Sequence, residues 1–165
     1  MAQGCAPFDA NEPDRNVRTQ TRHDALGRPY ETVDALGHVT HTDFDGLGRA
    51  IAVTENYVAG GSTSADTNVT SGTAYDALGR TTVETNAVGA ATSYAYDGLG
   101  DTIAITDGAG RVSRSGHDGT GVLRWSATPD GRLTVYQVDG LGRVVATIQN
   151  YNTGTAGPAR RRTRT

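Results

Sequence analysis

Aspartate and glycine recur together along this chain, and carboxylates in glycine-rich turns bind calcium in some repeat proteins. The strong calcium signature is a tandem of nine-residue Gly-Gly-x-Gly-x-Asp units. Here the aspartates recur at intervals of 10 and 11 residues, which does not match that tandem. We therefore assign them to turns, and we expect neither a metal nor a cofactor.

Histidine and cysteine are the other residues with metal-binding or nucleophilic chemistry. His38 and His41 form a His-x-x-His pair, with His23 elsewhere. On a strand, residues three apart point to opposite faces, so this pair is not expected to converge on an ion. There is no Gly-x-Ser-x-Gly motif and no phosphate-binding loop, and Cys5 lies in a segment expected to be irregular. The sequence predicts a protein that is not an enzyme.

Aromatic and arginine side chains form a candidate ligand-binding face. Tyrosine and tryptophan rings stack on sugars, while arginine binds anionic groups. The same side chains also stabilise neighbouring strands by cross-strand packing, so packing and binding of a cell-wall polysaccharide are both open. The residues of this candidate face are Tyr75, Arg80, Tyr94, Tyr96, Trp125 and Tyr136.

The composition limits the size of the core and the class of partner. A net charge of −3 over 165 residues predicts no general attraction to nucleic acid. Only 28 residues are Val, Ile, Leu or Phe, too few for a thick two-layer core. No apolar run approaches the roughly 20 residues of a transmembrane helix, and the N-terminus does not resemble a secretory signal.

A repeated five-residue unit organises the chain. Asp-(Ala/Gly)-Leu-Gly-Arg occurs at residues 24–28, 45–49, 76–80 and 139–143, and degraded copies begin at 34, 86, 97, 107, 118 and 128. The starts alternate by 10 and 11 residues, so the true period is 21 residues with two strands and two turns. One interval of 31 residues marks a long turn at about 56–72.

Each unit predicts a β-hairpin turn. The aspartate carboxylate accepts backbone N–H groups that follow it, and the glycine three positions later adopts positive φ without strain. The segments between turns are rich in Thr, Val, Ile and Tyr, which favour strands. The predicted turn residues are Asp24, Gly27, Asp34, Gly37, Asp45, Gly48, Asp76, Gly79, Gly89, Asp97, Gly100, Asp107, Gly110, Asp118, Gly121, Gly131, Asp139 and Gly142.

The predicted fold is all-β: an antiparallel meander of 21-residue hairpins forming a twisted, curved strip, a partial β-shell or spiral. Six of the eight leucines fall in turns, and we expect them to pack on one another along the edge. Within each hairpin, we expect the residue before the aspartate to meet the arginine across the turn, as in Phe44 with Arg49. Exposed strand margins also predict self-association through edge strands.

The motif Tyr75-Asp76-Ala77-Leu78-Gly79-Arg80 and the similar Tyr96-Asp97-Gly98-Leu99-Gly100 resemble the YD repeat of the RHS/YD-repeat family. The resemblance covers roughly residues 21–150 and includes the 21-residue period. It implies a secreted or cell-surface protein whose repeats coil into a hollow shell, which in bacterial toxins encloses a C-terminal effector. Further YD repeats or such an effector of a parent protein are the implied partners.

We expect an irregular segment at 1–17, a repeat array at 18–151 and a basic, disordered tail at 152–165. The segment 52–57 (AVTENY) is similar to 146–151 (ATIQNY), at an offset of 94 residues. This longer pattern predicts that a second long turn begins near residue 150. We therefore interpret the chain as a fragment of a shell rather than a closed one.

Overall fold

The computed structural model of the protein describes residues 18–150. These residues form twelve β-strands and no helix. The strands are β1 (Gln20–His23), β2 (Pro29–Val33), β3 (Val39–Phe44), β4 (Ala50–Glu55), β5 (Val69–Tyr75), β6 (Thr81–Thr85), β7 (Ala91–Tyr96), β8 (Thr102–Thr106), β9 (Val112–His117), β10 (Leu123–Ala127), β11 (Leu133–Val138) and β12 (Val144–Gln149). The predicted segments 1–17 and 152–165 lie outside the described residues.

The strands form one antiparallel sheet in which spatial order follows sequence order from β1 to β12. The predicted all-β meander of repeated hairpins is therefore confirmed. Ten repeated turns and one longer connection are eleven links, which join twelve strands.

The turn at residues 76–80 illustrates how the repeated unit closes a hairpin. The Asp76 N–H donates to the Arg80 carbonyl at 2.9 Å, and the Gly79 N–H donates to the Asp76 carbonyl at 3.0 Å. Gly79 has φ of 83°, and the register slips by one residue so that Tyr75 pairs with Thr81. This is a type I turn closed by a left-handed glycine and a bulge.

The chain divides into two compact units, Met1–Ser93 and Tyr94–Thr165, with the boundary inside β7. Neither unit has a conventional core, since no hydrophobic side chain among the described residues is buried. The most buried described side chains are instead Thr54 and Asn68, each 8% exposed. Strand and turn hydrogen bonds, rather than a buried apolar core, therefore connect the strands within each unit.

The longest connection in the described chain runs from 56 to 68, between β4 and β5. It is organised around Asn68, whose Oδ1 accepts from the Val58 N–H at 2.7 Å. The Asn68 amide also donates to the carbonyls of Val58 and Gly61, at 3.2 and 3.0 Å. A single buried amide thus stabilises the folded course of this connection.

The 94-residue similarity extends to the backbone. Asn56, where the long connection begins, has φ of 49°, and Asn150 has φ of 53°. Asparagine is among the few residue types that tolerate the left-handed region. The two matching segments therefore leave their strands in the same local conformation.

No helix in the part of the chain that the structure describes has the length and apolarity needed to span a membrane.

Candidate functional site

The structure places every predicted turn residue in a hairpin turn. Each of the named aspartates accepts backbone N–H groups two and four residues on through Oδ1, at 2.8–3.2 Å. Each of the named glycines has φ between 76° and 95°. Asn86 begins a turn with the same two bonds through its amide oxygen. The carboxylates of these turns are thus engaged in backbone closure.

The second carboxylate oxygen of many turns binds a cation from the same turn. In the turn at 45–49, Arg49 Nε donates to Asp45 Oδ2 at 2.7 Å. The pKa of Asp45 is lowered from its ordinary value, mainly because its charged form accepts the Arg49 backbone N–H. At Asp107 and Asp139 the arginine side chain is the largest cause of the lowered pKa. The charged forms of these three aspartates are therefore favoured in the folded protein.

We expect the protein to be stable above about pH 5 and to lose stability progressively as the pH falls below that value, where unfolded aspartates begin to protonate. A folded pKa below the unfolded one contributes stability above the unfolded value, which disappears as pH falls through the folded value. Urea unfolding between pH 7 and pH 2 measures this. The Asp76→Asn variant, which copies the amide of Asn86, is expected to show a shallower loss; stability that rises on acidification contradicts the assignment.

Arginines at the ends of these turns reach the neighbouring hairpin. The Arg28 guanidinium lies 4.8 Å from the Phe44 ring centroid, and that of Arg49 lies 4.4 Å from the Tyr75 ring centroid. Arg28 Nη1 also donates to the Asp45 carbonyl at 3.2 Å. Each arginine therefore joins its own turn to the next turn on the same edge.

The predicted partners of Arg28 and Arg49 were wrong. The sequence predicted Arg49 against Phe44 across their shared turn, but the bulge makes Phe44 pair with Ala50. Arg49, which directly precedes β4, instead faces β5, the neighbouring strand on the other side of β4. There Ala52 pairs with Gly72, so continuing the antiparallel count brings Arg49 opposite Tyr75.

The expected packing of turn leucines was also wrong. Their side chains lie along one edge but remain 65–79% exposed at Leu26, Leu47, Leu78, Leu99 and Leu141. A hairpin tip protrudes beyond the sheet, so its side chains meet water rather than the next turn. The arginine and aromatic side chains supply the contacts between turns that we had assigned to leucine.

Truncating Arg49 is expected to destabilise the protein more than truncating Arg143, although both occupy the same motif position. The Arg49 side chain is 27% exposed and covers Tyr75, whereas that of Arg143 is 74% exposed. We expect Arg49→Met to lower the free energy of unfolding by about 1 kcal/mol more than Arg143→Met. A double-mutant cycle with Tyr75→Leu measures the coupling, and a zero coupling energy contradicts the stacking.

The candidate ligand face is largely engaged in packing. Tyr75 carries Arg49 on its ring and donates its hydroxyl to the Ala50 carbonyl at 3.0 Å. The Tyr136 and Ser126 hydroxyls are 3.2 Å apart, and Trp125 lies against Gly116, where a Cβ would clash with the indole. Arg80, Tyr94 and Tyr96 are likewise half-buried. Polysaccharide binding by this face stays a prediction.

His38 and His41 contact different residues. His38 Nδ1 lies 2.9 Å from Asp34 Oδ2, within its own turn. His41 stacks on Tyr57, with ring centroids 4.5 Å apart, and its Nδ1 lies 3.6 Å from Glu31. His23 is exposed at the end of β1.

A different group of side chains, which the sequence interpretation did not connect, is brought together in the second unit. Asp97, Asp101 and His117 each offer one ligand atom, and these atoms lie within 4.8 Å of one another. The sequence analysis assigned Asp97 only to a turn. The available signal was the 16-residue spacing from Asp101 to His117, which equals that from Arg28 to Phe44.

The sequence comparisons agree with the hairpin geometry. A family model described as RHS Repeat matches residues 75–112, the region of four consecutive turns. No curated protein is matched by the sequence. The resemblance to the RHS/YD-repeat family is thereby confirmed over this region.

Solved structures with the same fold include the crystal structures of TcdB2-TccC3-Cdc42 and of TcdB2-TccC3, each 18% identical over 79% of this chain, with TM-scores of 0.62 and 0.61. A structure of the Photorhabdus luminescens Tc holotoxin pore is 19% identical over 78% of the chain, with a TM-score of 0.60. The chain spans 7% of the length of each of these proteins. At this identity the similarity establishes the fold.

Proposed function

Because this chain carries RHS repeats, we propose that it is a structural module in the wall of an encapsulating shell, part of a secreted or cell-surface protein of toxin type. The observation that best supports this proposal is a twelve-stranded meander in which no hydrophobic side chain among the described residues is buried. Such a sheet suits a thin wall that other parts of a larger protein complete. Its role in this proposal is non-catalytic.

The contacts along the turn edge support a wall function. Arg28 and Arg49 each bind their own turn and also reach the following one. Because every link joins neighbours in sequence, the array can be extended by adding hairpins without changing those already formed. Further RHS repeats of a parent protein are the partners that this mode of extension requires.

The similar solved structures support the toxin context of the proposal. Two are described as TcdB2-TccC3 and one as a Tc holotoxin pore. By that similarity, the parent protein of this chain is proposed to carry a C-terminal effector within its shell. Secretion or surface exposure follows from the same proposal.

Electron microscopy of the full polypeptide that contains this chain tests the proposal. An epitope inserted in the connection 56–68 marks the chain for purification from culture medium, cell surface and cytoplasm. We expect hollow particles from the medium or surface, with the epitope in the wall. A full polypeptide that forms no hollow particle, or one confined to the cytoplasm, contradicts the proposal.

A second measurement tests the alternative function, which is binding to cell-wall polysaccharide. The described chain is offered purified polysaccharide, with Trp125→Leu as the variant of the candidate face and Leu99→Ala as its exposed control. The wall proposal predicts no binding at sub-millimolar concentration. Binding that Trp125→Leu abolishes and Leu99→Ala retains favours a carbohydrate-binding module instead.

A further inference from the structure

One cross-strand position on the turn edge has both of its residues replaced. The last residue of a repeated turn faces the last residue of the second strand that follows it. Arg28 thus faces Phe44 at the end of β3, and Arg49 faces Tyr75 at the end of β5. In β8 and β9, Ala104 pairs with Arg114, and continuing this count places Asp101 opposite His117. A carboxylate replaces the guanidinium group, and an imidazole replaces the six-membered ring of Phe or Tyr.

This replacement changes the charge of the turn in a way that no other repeated turn shows. In the turn at 76–80, Arg80 Nε donates to Asp76 Oδ2 at 2.7 Å. In the turn at 97–101, the residue equivalent to Arg80 is Asp101, so one turn contains two carboxylates. Two carboxylates so close together favour a cation between them.

Two buried polar atoms in this group have no hydrogen-bond partner in the protein. They are Asp101 Oδ2 and His117 Nδ1, and each has less than 1 Å² of accessible surface. Buried polar atoms normally have partners, because leaving them without one costs free energy. The Asp97 carboxylate lies beside them, with one ligand atom of each residue within 4.8 Å of the other two.

We propose that Asp97, Asp101 and His117 form a binding site for a divalent first-row metal ion, with Zn²⁺ as its best probe. An imidazole nitrogen with two carboxylate oxygens is a ligand set that Zn²⁺ accepts, with a fourth position left for water. Calcium favours six to eight oxygen ligands, which this group does not offer. The site departs from the sequence expectation of no metal.

The geometry requires only a small closure around the ion. Zinc bonds of about 2.0–2.2 Å place tetrahedral ligand atoms roughly 3.3 Å apart. The present separations of up to 4.8 Å therefore have to shrink by about 1.5 Å at most, within reach of side-chain rotation. Binding connects the turn at 97–101 to the end of β9, as Arg49 and Tyr75 connect their own elements.

The residues around the site are compatible with this role. Gly121 lies close to the site, in the turn at 118–122, which is the next turn on the same edge. A Cβ built there would come within 3.2 Å of Asp101 Oδ2. In that turn Asp118 Oδ2 accepts from Arg124 Nε at 2.7 Å, so this guanidinium is already engaged by a carboxylate. One hairpin further along the same edge, Val122 and Val138 occupy the positions equivalent to Asp101 and His117, and their side chains have no ligand atoms.

Titration of the full chain with Zn²⁺ tests the proposal, in a Cys5→Ser background so that the thiol does not compete. After treatment with a chelator, calorimetry is expected to show one Zn²⁺ per chain. At a hundredfold excess over Kd, the melting temperature is expected to rise by roughly 5–10 °C. Ca²⁺ and Mg²⁺ are expected to give no comparable rise, and a larger response to Ca²⁺ overturns the assignment.

Variants at the site and away from it make the result specific. The Asp101→Arg/His117→Tyr double variant restores the residues found at neighbouring positions, so it is expected to fold and to lose the Zn²⁺ response. Asp101→Asn, nearly isosteric, is expected to weaken binding by more than roughly tenfold. His38→Ala, at an exposed histidine, is expected to keep the full response. No sub-millimolar binding, or a response that survives both site variants or disappears in His38→Ala, overturns the proposal.

Discussion

Replacing Gly48 by alanine is expected to lower the free energy of unfolding by about 1–2 kcal/mol, because a Cβ is strained in the left-handed region. Gly48 has φ of 81°, and its N–H donates to the Asp45 carbonyl at 3.0 Å. A Cβ there meets only Arg28, at 3.8 Å or more, so the loss reflects backbone conformation rather than crowding. Urea unfolding at neutral pH measures the difference.

Gly46 in the same turn is the matched control. No atom lies within 4 Å of a Cβ built there, and its φ is outside the left-handed region. Ala25 and Ala77 occupy the equivalent position in other turns. Gly46→Ala is therefore expected to be neutral or to stabilise by up to about 1 kcal/mol, through the lower entropy of the unfolded chain. Equal losses at the two positions contradict the proposed turn geometry.

The turns were predictable because their chemistry is local. Asp76 bonds residues two and four positions on, and Gly79 needs positive φ within the same five residues. Spacing and residue type contain this information without reference to the rest of the chain. The strand arrangement follows, because short turns join antiparallel neighbours.

The partners of the arginines were not predictable in the same way. Arg49 has a neighbouring strand on each side, and the bulge at its turn decides which of them its side chain faces. That choice is a property of register, which turn residues indicate only approximately. The pairing of Asp101 with His117 was missed for the same reason, since it becomes visible only when Arg28 is known to face Phe44.

The exposed leucines show a different limit of sequence reasoning. Apolar residues repeated along one edge suggest burial, but Leu78 is 79% exposed at its hairpin tip. Burial depends on what lies beyond the tip, which no local pattern specifies. The buried positions are instead polar, at Thr54 and Asn68, where hydrogen bonds compensate for the loss of water.

Truncating Asn68 to alanine is expected to lower the free energy of unfolding by about 2–4 kcal/mol, among the largest effects of any single change in the described chain. The amide makes three bonds, accepting from the Val58 N–H and donating to the carbonyls of Val58 and Gly61. Its removal leaves these backbone groups without that partner. Asn68 also has φ of 53°, which alanine tolerates poorly.

Ser64→Ala is the matched control within the same connection. The exposed Ser64 hydroxyl accepts from the Asp66 and Thr67 N–H groups at 3.2 and 3.0 Å, where water can replace it. We therefore expect a loss below about 0.5 kcal/mol. Hydrogen exchange resolves where each variant acts: Asn68→Ala should raise exchange across residues 56–68 before β2 and β3 are affected. Unchanged exchange in 56–68 would show that this connection is held by contacts other than the buried amide.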